Sequence, residues 1–179
     1  GDEISFGVRE MDDLQTWYNY LIDEQGAHAD KVGLLGNSMG AAMVIEYAAQ
    51  NQAIAAVVAV SPFSSLQDTI NVSVEYFTGL PAFPFAPMIS IWAETILGME
   101  VEQADATKAA AQLCTTPLFI MQGGKDIVVS VDSGQWIFDA ACGEKELWYE
   151  AQLGHTKFDT QKPDEYARRV VAFFDNALL

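Results

Sequence analysis

From about Val8 onward, apolar positions fall at Met11, Leu14, Tyr18, Leu21 and Ile22, the spacing of one helix face. Gly26 ends that helix, and acidic residues crowd its first turn, where the helix dipole favours them. The residues ahead of it, Gly1–Gly7, read as a loop. Lys31-Val-Gly-Leu-Leu-Gly36 is a short apolar run bounded by glycine, which predicts a strand rather than a helix. Met39 to Gln50 is Ala-rich and helical in pattern, and Ala53 to Val60 is continuously apolar, as in a strand covered on both faces of a parallel sheet. Two helices are predicted over about 66–78 and 88–97, then a strand over Pro117–Gln122, a helix over Ser130–Ala141 and a strand over Glu146–Glu150. Pro163 to Leu178 closes the chain as an amphipathic helix. Strands alternating with helices indicate an α/β fold with a narrow, mainly parallel sheet flanked by helices.

The segment 62–112 differs from the rest. It holds most of the prolines and many aromatics, and it reads as a helical cap inserted after the second strand of a single domain spanning 1–179. Tyr76 to Ala93 is its longest uncharged stretch, but Pro81, Pro84 and Pro87 exclude a membrane-spanning helix there. Phe83, Phe85 and Trp92 are candidates to line an apolar pocket; core packing and partner docking are the competing readings of the same stretch.

Charge narrows the function classes. With 9 Lys and Arg against 25 Asp and Glu, the 179 residues carry a formal net charge of −16, which repels phosphate backbones and excludes nucleic acid as an expected partner. Cys114 and Cys142 lack the spacing of a metal site, and His28 and His155 are the only histidines, so neither a metal nor any other cofactor is expected. The cysteines come just before the third and fourth strands, where a disulfide is geometrically possible. Two reduced, buried thiols in a cytoplasmic protein is the expectation.

Gly36-Asn37-Ser38-Met39-Gly40 lies between a predicted strand and a predicted helix, the context that a G-x-S-x-G nucleophile elbow requires. A sharp turn there lifts the Ser38 hydroxyl above the sheet, and glycines flank it because side chains would meet the neighbouring backbone. The helix that follows aims its first amides at the site, so Met39 N–H is a candidate oxyanion donor. A serine hydroxyl needs a base. His155 follows the fourth strand, whereas His28 precedes the Ser38 strand at the opposite end of the sheet. Asp126, after the third strand and Gly123-Gly124, is the first candidate for the acid, with Asp132 and Asp139 on the next helix as alternatives. Asn37 and Phe63, which closes the second strand in Ser61-Pro62-Phe63, are further candidates to face substrate.

On these stretches the chain resembles the α/β-hydrolase superfamily, within the group of dienelactone-hydrolase-like and prolyl-oligopeptidase-like serine hydrolases. The matching segments are Phe6-Gly7 with Glu10 and Asp13, Lys31 to Gly40, Pro117 to Asp126 with Val128, and Leu153-Gly154-His155. The resemblance implies Ser38 as nucleophile, Asp126 as acid and His155 as base, in the chain order of that fold. It departs from the family in lacking the strands that normally precede the elbow strand and the loop that supplies a second oxyanion donor. The chain therefore resembles a truncated α/β-hydrolase fold, its catalytic C-terminal half, with Lys31–Gly36 as an unpaired edge that a homodimer or another chain is expected to cover. The expected activity is a carboxylesterase acting on small neutral or apolar acyl esters, weak unless the Gly1–Gly7 loop or another subunit completes the oxyanion hole. The competing expectation is a non-catalytic fragment with an assembly role.

Overall fold

The computed structural model describes residues 4–178. Four strands, β1 (Gly33–Asn37), β2 (Ala56–Val60), β3 (Leu118–Gly123) and β4 (Lys145–Glu150), form one parallel sheet in the order β1-β2-β3-β4. β1 pairs with β2 alone among the described residues, so its other edge has no strand beside it.

Both sides of β2 and β3 are covered, which explains why their sequences run apolar without alternation. Val57, Ala59, Leu118 and Ile120 face one core with Ala41, Ile45 and Tyr47 of α2 (Met39–Gln50) and Ile137 of α6 (Ser133–Ala140). α1 (Glu10–Asp23) lies outside that layer, its Met11, Leu14, Tyr18 and Ile22 packed on the same core. Val58, Val60, Phe119 and Met121 face the second core, built with Trp148, Leu153 and Phe158 and closed by Tyr166, Val170, Phe173 and Phe174 of α8 (Pro163–Leu178). The period-two split of each strand between two cores is what a double-sided sheet demands.

The inserted segment begins after β2 with α3 (Leu66–Thr78), capped by the Ser65 hydroxyl, which accepts from Asp68 N–H at 3.1 Å. Gly79 ends α3 in left-handed geometry at φ 68°, as a helix C-terminus favours. α4 (Ala82–Leu97) is longer than the sequence pattern suggests. The backbone leaves helical geometry at Phe83 (φ −92°, ψ 132°), so Pro84 opens the regular part and Pro87 comes within one turn of it. A missing amide there costs at most one helical hydrogen bond, so the prolines that looked like breakers act as a helix start. Two further short helices, α5 (Ala106–Ala110) and α7 (Phe158–Gln161), carry too few residues to show a period.

Cys114 and Cys142 are joined in a disulfide with Cα atoms 4.7 Å apart, and both residues are exposed. This corrects the expectation of two reduced, buried thiols. Gly143 N–H bonds to Leu113 C=O at 2.9 Å, and a Cβ at Gly143 would meet that oxygen at 2.5 Å, so the two segments approach closely enough for the thiols to pair. The bridge closes a loop of sequence separation 28, worth about 3–4 kcal/mol in the chain-entropy account. Reduction is expected to lower the denaturation midpoint accordingly, and titration of the unreduced protein after unfolding should find no free thiol.

Glu46, in the middle of α2, is 7% exposed with its Oε1 unpartnered. Burial, and then the charge of Asp105, push its carboxyl up from 4.5 to about 8, against the Asp105 amide that bonds to it. Because the folded value lies above the unfolded one, the native state holds a proton that the unfolded chain releases. The contribution of Glu46 to stability is therefore fully present below about 4.5 and is lost as pH rises towards about 8, by up to about 1.4 kcal/mol per pH unit. A Glu46→Gln variant is expected to flatten this decline in a pH series of urea denaturation curves. An unchanged slope would contradict it.

Among the described residues, no single helix is long and apolar enough to cross a membrane.

Candidate active site

Ser38 sits between β1 and α2 at φ 54° and ψ −120°, a conformation costly for any residue with a side chain. It is held there from two sides. Its N–H donates to Val60 C=O at 2.8 Å, and its carbonyl accepts from Ala41 N–H at 2.9 Å. Gly36 makes the turn possible, because a Cβ on it would lie 2.1 Å from the Gly40 carbonyl oxygen. The strain thus follows from β1 and α2 being packed backbone against backbone.

Asp126 and His155 arrive on two loops that are stitched together. Gly124 N–H donates to Glu150 C=O and Lys125 N–H to Leu153 C=O, each at 2.8 Å. Gly123 permits that approach, since a Cβ there would meet the Leu153 oxygen at 2.5 Å. Below the loop, Phe158 is fully buried with its ring 4.8 Å from that of Trp148. Its far side is pinned to β2, because Thr156 N–H donates to the hydroxyl of buried Ser61 at 3.0 Å.

The three side chains meet. Ser38 Oγ lies 2.7 Å from His155 Nε2, and His155 Nδ1 lies 2.8 Å from Asp126 Oδ2. The Asp126 side chain is fully buried, and its Oδ1 accepts from Val128 N–H at 2.9 Å and Val129 N–H at 3.1 Å. Gln122 Nε2 approaches Oδ2 at 3.4 Å. An ionised carboxylate only accepts, so it selects the imidazole tautomer with the proton on Nδ1 and leaves Nε2 to accept from the serine hydroxyl. Such a relay can deprotonate the hydroxyl as it attacks and hold the resulting imidazolium.

Of the alternatives for the acid, Asp132 is at the N-terminus of α6, and Asp139 accepts from Gln135 at 2.8 Å on its outer face. His28 is exposed ahead of β1, at the far end of the sheet. Met39 is the first residue of α2, so its amide has no helical acceptor and remains available beside Ser38. In the Gly1–Gly7 loop the amides of Ser5 and Gly7 are already engaged. Ser5 and Gly7 give their amides to the Glu10 carboxylate and Val8 gives its amide to Ser5 C=O. Burial works against the Glu10 charge, but those bonds with the Ser5 hydroxyl outweigh it and hold the carboxyl down to about 2. Gly1–Glu3 lie outside the described residues.

The pocket candidates divide. Asn37 is exposed at the end of β1, and Phe63 is buried in the core beneath the sheet end. Phe83, Phe85 and Trp92 are 78%, 36% and 69% exposed. Ala86 and Ser90 take the inward side of α4, with Ser90 bonded to Gln67 of α3 at 2.9 Å, and this phase turns the aromatics outward. An apolar groove of about 290 Å³ lies between the Phe6 loop, α3 and Ile89, lined also by Leu66, Ile70 and Val74. One wall is a helical stripe of α3, but Phe6 and Ile89, which complete the groove, lie far from it in sequence, so local periodicity gave no sign of it.

The model for the prolyl oligopeptidase family matches residues 4–179. The chain belongs to the prolyl oligopeptidase family. It is similar over 98% of its length to the uncharacterized protein YqkD of Bacillus subtilis (strain 168), at 23% identity and covering 58% of that protein. Among solved structures it superposes on the Pyrococcus furiosus esterase Pf2001 with a TM-score of 0.77 at 24% identity, over 100% of this chain and 66% of that one. The acylaminoacyl peptidase of Pyrococcus horikoshii shares the fold at a TM-score of 0.73 and 16% identity, over 97% of this chain and 28% of that chain. The chain thus has the α/β-hydrolase fold of these structural neighbours, and it spans about two thirds or less of the length of the proteins it matches.

Proposed function

We propose that the chain is a serine hydrolase, a carboxylesterase that cleaves small neutral esters with apolar acyl groups through an acyl-enzyme on Ser38. The observation that carries this reading is the unbroken contact from Ser38 Oγ through His155 to the buried Asp126. Ser38 Oγ attacks the ester carbonyl while its proton passes to His155 Nε2. The oxyanion accepts a hydrogen bond from Met39 N–H, and Asp126 stabilises the imidazolium. His155 then protonates the leaving alkoxide, and the C–O bond breaks. Water repeats the cycle: its oxygen attacks the acyl carbon, its proton goes to His155, and Ser38 Oγ leaves with that proton as the carboxylic acid departs. Each oxyanion donor of this kind is worth about 100-fold or more in turnover.

The acyl group takes the groove at Leu66 and Ile70, five and nine residues beyond the Ser61 that anchors the His155 loop. No Lys or Arg occurs between Lys31 and Lys108, so that region offers no cation for an anionic substrate. A second reading, amide cleavage, rests on family membership together with the fold shared with an acylaminoacyl peptidase.

A fluorophosphonate probe tests the reading directly, with intact mass and peptide mapping as readout. The expected result is one adduct, on Ser38, together with hydrolysis of p-nitrophenyl esters that exceeds hydrolysis of N-acyl aminoacyl anilides. A folded protein that takes no adduct would overturn it, and a preference for the anilides would favour the second reading.

A further inference from the structure

α4 has two apolar sides, and the fold uses one. Ala86 and Ser90 pack inward, while Phe85, Met88, Ile89, Trp92 and Ile96 form an outward stripe with spacings of three, one, three and four residues. That is the spacing of a helix seam. Its members are 36–69% exposed. Helix surfaces facing only water do not carry this pattern, and apolar patches of such size mark contact sites.

We infer that this stripe is the self-association face of the protein, where α4 of one copy packs antiparallel on α4 of a second about a two-fold axis between Met88 and Trp92. Area and charge select a second copy as the occupant. At about 150–250 Å² per large side chain, the exposed parts of these five amount to roughly 500 Å². A stable dimer needs about 800 Å² from each partner, roughly 65% of it apolar, so the stripe alone meets the apolar share. A two-fold interface is self-complementary, and an uncharged stripe meeting itself places no like charges opposite one another.

Charge excludes the other large apolar surface. Helices that lie on membranes carry Lys or Arg on their polar face, and none occurs from residue 32 to 107. The net charge of −16 adds repulsion from anionic headgroups. The inference does not rest on the proposed function, because these residues lie outside the Ser38–His155–Asp126 contacts and only Ile89 is shared with the groove given to the acyl group.

Sedimentation velocity of the whole chain tests it, with Met88→Glu/Trp92→Glu as the disrupting variant and Leu35→Lys as a control. Both targets of the double variant are more than half exposed, so the fold should tolerate them, and circular dichroism checks this. Leu35 is exposed on β1, the other candidate contact edge. The expected result is a dimer that tightens as salt screens the −16 charges, retained in Leu35→Lys and weakened at least about 30-fold by the double variant. A monomeric parent at high concentration, or a dimer lost in Leu35→Lys and kept in the double variant, would overturn it. So would a monomer that floats with phosphatidylcholine vesicles through the same stripe.

Discussion

Replacing Ser38 by alanine is expected to lower ester turnover by at least about 10⁴-fold and to abolish labelling by the fluorophosphonate probe, with the fold intact. The magnitude follows from what remains: binding and the Met39 oxyanion donor survive, but no oxygen stands 2.7 Å from His155 Nε2. A comparison with Ser38→Gly adds a signature that mere damage would not produce. Alanine keeps the strained backbone at φ 54° and ψ −120°, whereas glycine adopts it with far less steric cost. The glycine variant should therefore be at least as stable as the alanine variant, and equally inactive. Residual hydrolysis near the parent level in both would move the nucleophile elsewhere. A glycine variant clearly less stable than alanine would show that the elbow is not strained.

What the sequence made legible were features written in a few adjacent residues. The buried run at β2 and the glycines around Ser38 each belong to a short segment whose local pattern has one sensible reading, whereas the choice of Asp126 over Asp132 and Asp139 depends on contacts between distant loops. The stretch 82–97 was not legible, because Pro84 and Pro87 read as breakers until the backbone break at Phe83 put them at a helix start. The direction of Phe83, Phe85 and Trp92 depends on the phase with which α4 docks on α3, and the buried Ser90–Gln67 bond that sets this phase joins residues 23 apart. Ser61 looked like the end of a strand. Its role in holding Thr156 spans 95 residues and has no sequence signal. The cysteines were placed at neighbouring strand starts correctly, but whether they pair depends on close approach of the segments at Leu113 and Gly143.

Asp126→Asn carries the second large effect, and the structure dictates its mechanism. Oδ1 accepts from the amides of Val128 and Val129, so the asparagine must place its carbonyl oxygen there. Its NH₂ group then occupies the Oδ2 position, 2.8 Å from His155 Nδ1 and facing the Gln122 amide. Donor would meet donor unless His155 moves its proton to Nε2, and that tautomer donates to Ser38 instead of accepting from it. The expected loss is about 10⁴-fold in kcat with little change in KM, since no substrate contact is altered. Labelling by the fluorophosphonate should slow in parallel, because it needs the same deprotonation. Ser61→Ala provides the contrast: it leaves the tautomer correct and only loosens the His155 loop. About a 10-fold fall in kcat is expected. Equal losses in Asp126→Asn and Ser61→Ala would mean that loop position, and not proton placement, is what Asp126 supplies.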